Sequence, residues 1–385
     1  MKDSFIVFGE PDIHEDECQE VLDTLRSGWI GTGPKTHRFE HLFAQYLGVP
    51  EAAAVNSATA GLHLACLALD LKPGDEVITT AMTFCATVNA ILHAGATPVL
   101  ADIDPNTWNM DPNDVARKIT SRTKAILPVH LAGRCCDMQA IGDLAEAHSL
   151  YVIEDCAHAI ETQVNNLHAG TLGDLGVFSF YVTKNVTTCE GGMVTAKDPE
   201  RLKKIKTMAL HGLSAHAWQR YSDRGFKHYL VQELGFKYNM TDLQASIGMH
   251  QLKRVQRNWS RRKEIWERYQ NEFTQLAQVP SPVAHNQKHA YHLFQLVLPE
   301  SQETTRDQFL DHLHRSGIGS GVHYLCLAEH PYYQKALGWH PSQTPNATQV
   351  GRRTISLPLS AKLSDRQVNR IVDTVRKLLV ALQSR

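Results

Sequence analysis

The stretch EVITTAMTFCATVNAILHAGATPVLADI, residues 76–103, decides the fold. Its two ends, EVITT at 76–80 and TPVLADI at 97–103, are short runs rich in β-branched residues, and Thr83 to Ala94 between them reads as a helix. Working outward, the same alternation repeats. Strand-like runs stand at AAAV (52–55), AILPVHL (125–131), YVIED (151–155) and VFSF (177–180), with helix-like segments from Thr59 to Leu69 and from Met138 to His148. Strands that alternate with helices need crossover connections, so the chain is expected to form an α/β fold around a mostly parallel sheet buried on both faces. Such a sheet places ligands at the carboxyl ends of its strands.

From about Asp198 the pattern becomes charged and helical, with one segment from Arg201 to Leu210 and a long one from Thr241, which can cap it, to about Phe273. After the proline-bearing VPSPVAHNQ (279–287) comes a strand-like run, YHLFQLVL (291–298), then helices near Arg306 to Ser316 and Asp365 to Leu382. Residues 1–35, where Gly28, Gly31, Gly33 and Pro34 crowd together toward the end, read as a loop-rich lead-in. The expected organisation is a lead-in over 1–35, a large α/β domain over 36–245, and a long helix with a smaller C-terminal α+β domain over 246–385.

Composition narrows the function. With 385 residues and 43% hydrophobic content the chain has enough for roughly two domains with substantial cores. Lys and Arg total 39 against 40 Asp and Glu, so no field draws the chain to nucleic acid or to an anionic membrane. The apolar run Phe5 to Phe8 is too short for a signal-peptide core, and no apolar stretch of ~20 residues follows, so a cytoplasmic location is expected. The eight cysteines are scattered with no CxxC pair, which argues against a disulfide framework and a four-thiolate zinc site. Among the 21 histidines, His285 with His289 and His211 with His216 have two-ligand spacing, but neither pair has a third ligand nearby. No metal is expected.

Lys184, in FSFYVTKNVTTCEGG (178–192), follows a buried strand among small and apolar residues. Burial lowers an amine's pKa, and a desolvated lysine forms a Schiff base with a carbonyl. A lysine that snorkels to solvent from a strand end is the alternative, and from this residue alone the better one. Asp155 shifts that balance, because in YVIEDCAHA it ends another core strand and both side chains can reach one crevice. Pyridoxal phosphate needs such a pair: a lysine for its aldehyde and an acid opposite its ring nitrogen. A helix N-cap is the alternative for Asp155.

A phosphate cradle is also required, and VNSATAGLHLA (55–65) offers a strand, a Ser/Thr turn and a helix start whose free N–H groups favour an anion. Ser57, Ala58 and Thr59 are the candidates, with a plain N-cap at Ser57 as the alternative. Phe84, past the strand ending near Thr80, can cover one face of a pyridine ring or simply pack in the core. His158 can cover the ring, brace Asp155, or be a satisfied structural histidine.

Taken together these stretches resemble the DegT/DnrJ/StrS family of sugar-nucleotide aminotransferases, within the aspartate-aminotransferase (type I) fold of pyridoxal-phosphate enzymes. The carriers are SGWIGTGPKTHRFE (27–40), NSATAGLHLA (56–65), AMTFCATVNAI (81–91), PVHLAG (128–133), IEDCAHA (153–159), TKNVTTCEGG (183–192) and LGFKYNMTDLQASIG (234–248). The resemblance implies that Lys184 is the catalytic, aldehyde-bonding lysine, that Asp155 faces the ring nitrogen, that Phe84 and His158 neighbour the ring, and that Ser179 is a further phosphate ligand. It implies a homodimer with shared active sites, in which Asn239 of KYNM reaches the partner's phosphate site. Gly31, Thr32 and Gly33, with His323 and Tyr324 of GVHY, match segments around the substrate sugar. Cys189 stands where glycine is common in the family, and 160–170 lacks the usual Gly-Lys loop, which touches the loop's substrate contacts rather than the cofactor chemistry.

One family branch carries histidine in place of Lys184 and dehydrates sugars, so the lysine implies transamination. The expected reaction takes an amino group from an amino acid, L-glutamate by resemblance, to a keto sugar nucleotide. SGWIGTGPK, PVHLAG and HGLSAHAWQRY (211–221) are most similar to members that aminate UDP-4-keto-pentoses. C3-amination of a dTDP- or GDP-keto sugar, another pyridoxal-phosphate reaction on amino acids alone, and a non-enzymatic regulator are the alternatives. A sugar nucleotide's two phosphates call for cations at the pocket mouth, where Lys35, Arg38, Arg220, Arg224 and Lys227 are candidates beside the commoner role of a solvated face. The segment His211 to Tyr229 suits a substrate loop.

Overall fold

In the computed structural model, which describes residues 5–213, 230–299 and 305–383, seven strands form one sheet: β1 (Ala53–Val55), β2 (Glu76–Thr80), β3 (Thr97–Ala101), β4 (Thr123–Leu127), β5 (Tyr151–Asp155), β6 (Leu175–Ser179) and β7 (Gly192–Ala196). Across the sheet the order is β1-β7-β6-β5-β4-β2-β3. Strands β2 to β6 pair in parallel, and β7 runs antiparallel to both of its neighbours. The crossovers are α3 (Ala58–Ala68), α4 (Cys85–His93), α5 (Pro112–Lys118) and α6 (Met138–His148), preceded by α1 (Glu15–Ser27) and α2 (Pro34–Leu47) and followed by α7 (Pro199–Ala209), α8 (Asp242–Lys253) and α9 (Val255–Phe273).

The burial explains the composition of these elements. All five residues of β2 are buried, as a parallel strand covered on both faces requires. α3 is small and apolar nearly all round because it packs between sheet and neighbours. Gly61 lets it come close: a Cβ there lies 2.7 Å from Val177 Cγ1 and 3.0 Å from Val194 Cγ2. Leu62, Leu64, Val77, Leu127, Ile153, Val177 and Val194 join in the core that results.

Two expectations need correction. Residues 1–35 are not loop alone, since α1 takes up 13 of them, ends on Gly28 at φ +75° and buries Glu17 against Gln251 and Arg254 of the α8–α9 region. The long helix is two helices, because Arg254 at φ −99° and ψ 1° leaves helical geometry between α8 and α9. Thr241 does cap α8, its Oγ accepting the Gln244 N–H. Strand β7, behind its two glycines, has no counterpart in the sequence reading, although it joins β6 to the edge strand β1.

A second apolar cluster gathers the C-terminal part: Trp266, Tyr269, Phe294, Leu296, Leu357 and Val375. Here β8 (Phe294–Val297) pairs antiparallel with β9 (Thr354–Leu357), beside helices Arg306–Arg315 and Asp365–Gln383. Ile6 belongs to this cluster, donating its N–H to Gly317 O at 2.9 Å and accepting from Gly319 N at 2.8 Å. Among the described residues no helix is long and apolar enough to cross a membrane, and none of the eight cysteines is in a disulfide.

Candidate active site

The parallel strands end on one side of the sheet, and the loops that leave them enclose a cavity of about 530 Å³. It brings together Ser57, Ala58 and Thr59 after β1, Phe84 after β2, Asp155 and His158 at the end of β5, and Ser179 and Lys184 at the end of β6. His323 and Tyr324 close it from the C-terminal part.

Asp155 is nearly fully buried. Its Oδ2 accepts from Thr87 Oγ1 at 2.8 Å and its Oδ1 from the Ala157 N–H at 3.1 Å. Burial pushes its carboxyl above the usual range, while those donors and the Lys184 charge pull the other way. Lys184 follows a turn in which its N–H donates to Tyr181 O at 2.9 Å. Its residual exposure opens on cavities that it lines, so burial dominates and lowers its amine to about 8, opposed by the charge of Asp155.

At the far end Ser57 caps α3, its Oγ accepting the Ala60 N–H at 3.1 Å. Ala58 and Thr59 open the helix, where N–H groups precede the first intrahelical bond and attract an anion. Cap and anion seat are thus one structure. Phe84 is not in the core; it precedes α4 and stays 58% exposed on the cavity wall, free to cover a ring. The Ala132 N–H donates to His158 Nδ1 at 3.2 Å, which puts the imidazole proton on Nε2, 3.1 Å from Tyr324 Oη. Burial holds His158 neutral, well below its usual range. Tyr324 therefore accepts from His158 and keeps its own O–H for the cavity.

Other predicted residues lie elsewhere in the same chain. Gly31, Thr32, Lys35 and Asn239 do not line this cavity. Thr32 Oγ1 donates to Met240 O and accepts from Asn239 Nδ2, both at 2.5 Å, Gly31 O accepts the Asp242 N–H at 2.8 Å, and Asp242 accepts the N–H groups of Gly33 and Lys35. The GTGPK and NMTD segments are bound to each other. Lys35, expected at the cavity mouth, pairs with Glu20 at 2.6 Å and donates to Thr24 Oγ1 at 2.8 Å. Arg220, Arg224 and Lys227, like His216 and most of the 211–229 segment, lie outside the described residues. Thr83 and Thr87 were missed: their hydroxyls are 2.9 Å apart and hold Asp155. Their four-residue spacing at the start of a helix was the available signal.

This donor set fits pyridoxal phosphate. An enclosed amine, a buried carboxyl, an exposed aromatic and a Ser-capped helix start line one space of small-molecule size. Lys184 would bond the aldehyde, Asp155 would face the ring nitrogen, and Ser57 to Thr59 with Ser179 would hold the phosphate.

Comparison with known proteins agrees. Residues 11–376 match the DegT/DnrJ/EryC1/StrS aminotransferase family. The spore coat polysaccharide biosynthesis protein SpsC of Bacillus subtilis is 45% identical over 381 residues, covering 98% of each chain. The PLP form of the candidate sugar aminotransferase Spr1654 of Streptococcus pneumoniae superposes with a TM-score of 0.90 at 34% identity, over 98% of this chain and 99% of that one. PseC of Helicobacter pylori, an aminotransferase involved in the biosynthesis of pseudoaminic acid, gives 0.90 at 29% identity, over 98% of this chain and all of the other.

Proposed function

The chain belongs to the DegT/DnrJ/EryC1/StrS aminotransferase family, and on that premise we propose that it moves an amino group from L-glutamate to a UDP-linked 4-keto sugar, giving an amino sugar nucleotide for polysaccharide, lipopolysaccharide or antibiotic assembly. It is a pyridoxal-phosphate-dependent aminotransferase. The observation that carries the reading is Lys184 and Asp155 at neighbouring strand ends of one cavity whose far end is the start of α3. The sugar acceptor is supported by relatives named for polysaccharide and pseudoaminic acid biosynthesis. The UDP-4-keto assignment is supported by the motifs SGWIGTGPK, PVHLAG and HGLSAHAWQRY, and the glutamate donor by the family resemblance alone.

When bound, the cofactor supplies an electron sink that stabilises charge on the amino carbon. Asp155 would hold a proton at the ring nitrogen. Lys184 would bond the aldehyde and serve as the base and acid that moves the proton at the amino carbon of the donor and of the sugar. The start of α3 binds the phosphate, Phe84 and His158 flank the ring, and Tyr324 offers its O–H to the substrate. A homodimer belongs to the same proposal, with Asn239 directed to the partner's phosphate site. Leu230, Val231 and Leu234, between 69% and 87% exposed, support a covered face beside it. Lys184→Ala is the test. Wild-type protein transfers isotopically labelled nitrogen from glutamate to the sugar nucleotide and the variant transfers none; label transfer by the variant refutes the assignment.

A further inference from the structure

Lys184 lines a second, smaller space beside the main cavity. This pocket of about 20 Å³ shares Lys184, Thr183 and His323 with that cavity and adds His292, with Phe8 and Leu293 among the apolar residues. That is room for about one water. His292 is 6% exposed, packs on His158 with ring centres 4.5 Å apart, and has no part in the chemistry described so far.

Its proton can be located. Asn185 spends both amide hydrogens, one on Glu161 Oε2 at 2.8 Å and one on Ala290 O at 3.0 Å, so its Oδ1 can only accept. The atom 3.0 Å from that oxygen is His292 Nδ1, which must carry the hydrogen. Glu161 is fixed from behind by the buried Arg262 guanidinium. In the neutral ring Nε2 is then bare. Burial, and next the charge of Lys184, keep a second proton off it.

We infer that His292 is a positioning residue for Lys184: its bare Nε2 accepts a hydrogen bond relayed from the lysine amine through one water in the small pocket. With one N–H tied back, the amine's lone pair points forward to the reacting carbon. The proton taken from substrate goes onto Lys184 and leaves from Lys184, and His292 gains none. The charged and titratable groups that face the amine are Asp155, His158 and His323, with Glu161, Arg262 and His289 behind His292. The inference rests on Lys184 being the reacting amine, and the experiment reads that amine without the reaction.

Cofactor-free full-length protein is acetylated competitively across pH, and the Lys184 peptide is quantified by mass spectrometry. Three substitutions separate the roles of the ring: His292→Gln keeps a polar atom at the Nε2 position, His292→Asn keeps the donor to Asn185, and His292→Phe keeps the packing. A hydrogen bond to a charged donor is worth enough that its loss lowers the Lys184 midpoint by about one pH unit in the Asn and Phe variants, with recovery in Gln. In the loaded enzyme kcat falls about tenfold in the same two variants, KM stays, and Gln restores it. A wild-type midpoint in the Asn or Phe variant overturns the inference. Asn185→Leu is independent of any change in the ring: it frees the Nδ1 proton to move to Nε2 and lowers the midpoint in the same direction, and an unchanged midpoint there is equally fatal.

Discussion

No helix directly follows Asp155, so the N-cap reading falls away and Asp155→Asn separates a cofactor acid from a carboxylate that only braces a turn. Asn fills the same space and can still accept the Ala157 N–H while Thr87 Oγ1 turns to accept its amide. The fold should therefore persist. What is lost is the charge that raises the affinity of Lys184 for its proton. With an amine at about 8, roughly one molecule in eleven carries a free amine at pH 7, about 300 times more than for an ordinary lysine. Removing this opposite charge from the same cavity lowers such an amine by about one further unit, so about half is free at pH 7 and the cofactor-free protein captures pyridoxal phosphate about fivefold faster. Turnover moves the opposite way. An ion pair at contact is worth about 4 kcal/mol at an effective dielectric of about 20, so a ring nitrogen without its acid costs about a thousandfold in kcat. Stopped-flow capture rates against pH, beside steady-state transamination, measure both. A variant with wild-type capture and wild-type turnover would falsify the assignment and leave Asp155 as the brace of a turn.

Three further outcomes follow from the geometry. Gly192→Ala places a Cβ 2.8 Å from Ala58 N and Ser57 C and 2.9 Å from Phe178 O, all backbone, so the start of α3 must move; a loss of about 1–3 kcal/mol in denaturant unfolding is expected, together with weaker pyridoxal-phosphate affinity, and unaltered affinity argues against the phosphate seat. Arg262→Met strands the buried Glu161 carboxylate at a cost of about 3–5 kcal/mol near neutral pH. Burial already raises the folded-state pKa of Glu161, and losing the arginine raises it more, so the deficit is full above that pKa and shrinks as acid protonates the carboxyl; urea midpoints that show no such narrowing contradict the account. Chelators should leave activity untouched. The buried His130, Glu154 and Cys156 have ligand-like spacing, but Glu154 already accepts N–H groups from Gly170, Leu172 and Gly173 at 2.6–2.9 Å and lies 2.9 Å from His130 Nε2; activity lost to a chelator and restored by metal would sink this reading.

What the sequence disclosed depended on how local the cause was. EVITT and YVIED read as strands because they are short runs rich in β-branched residues without the polar alternation of a one-sided strand, as burial on both faces requires. Asp155 and Lys184 were legible for a related reason, as polar residues ending runs that otherwise bury. Lys35 was placed wrongly relative to its own chain's cavity because its partner, Glu20, lies on α1, a helix hidden in a segment read as loop. Thr87 left a faint trace in its spacing from Thr83. His292 left none, since YHLFQLVL shows a strand, and the role of its imidazole depends on Asn185 and Glu161, contacts that form only in three dimensions.

The seat of Ile6 has a bearing on how the protein is made. Ile6 is buried against a partner segment around Ile318, 318 minus 6 or 312 residues further along. At ribosomal speeds of 5–20 residues per second that separation is about 15 to 60 s of synthesis. Throughout that interval the strands of the large sheet can emerge and pair while the segment around Ile6 waits, its apolar side chain without a place to go. Chaperone occupancy early in translation should therefore concentrate on this short stretch, and a bulky fusion attached just before it should be felt in the last part of the chain to fold.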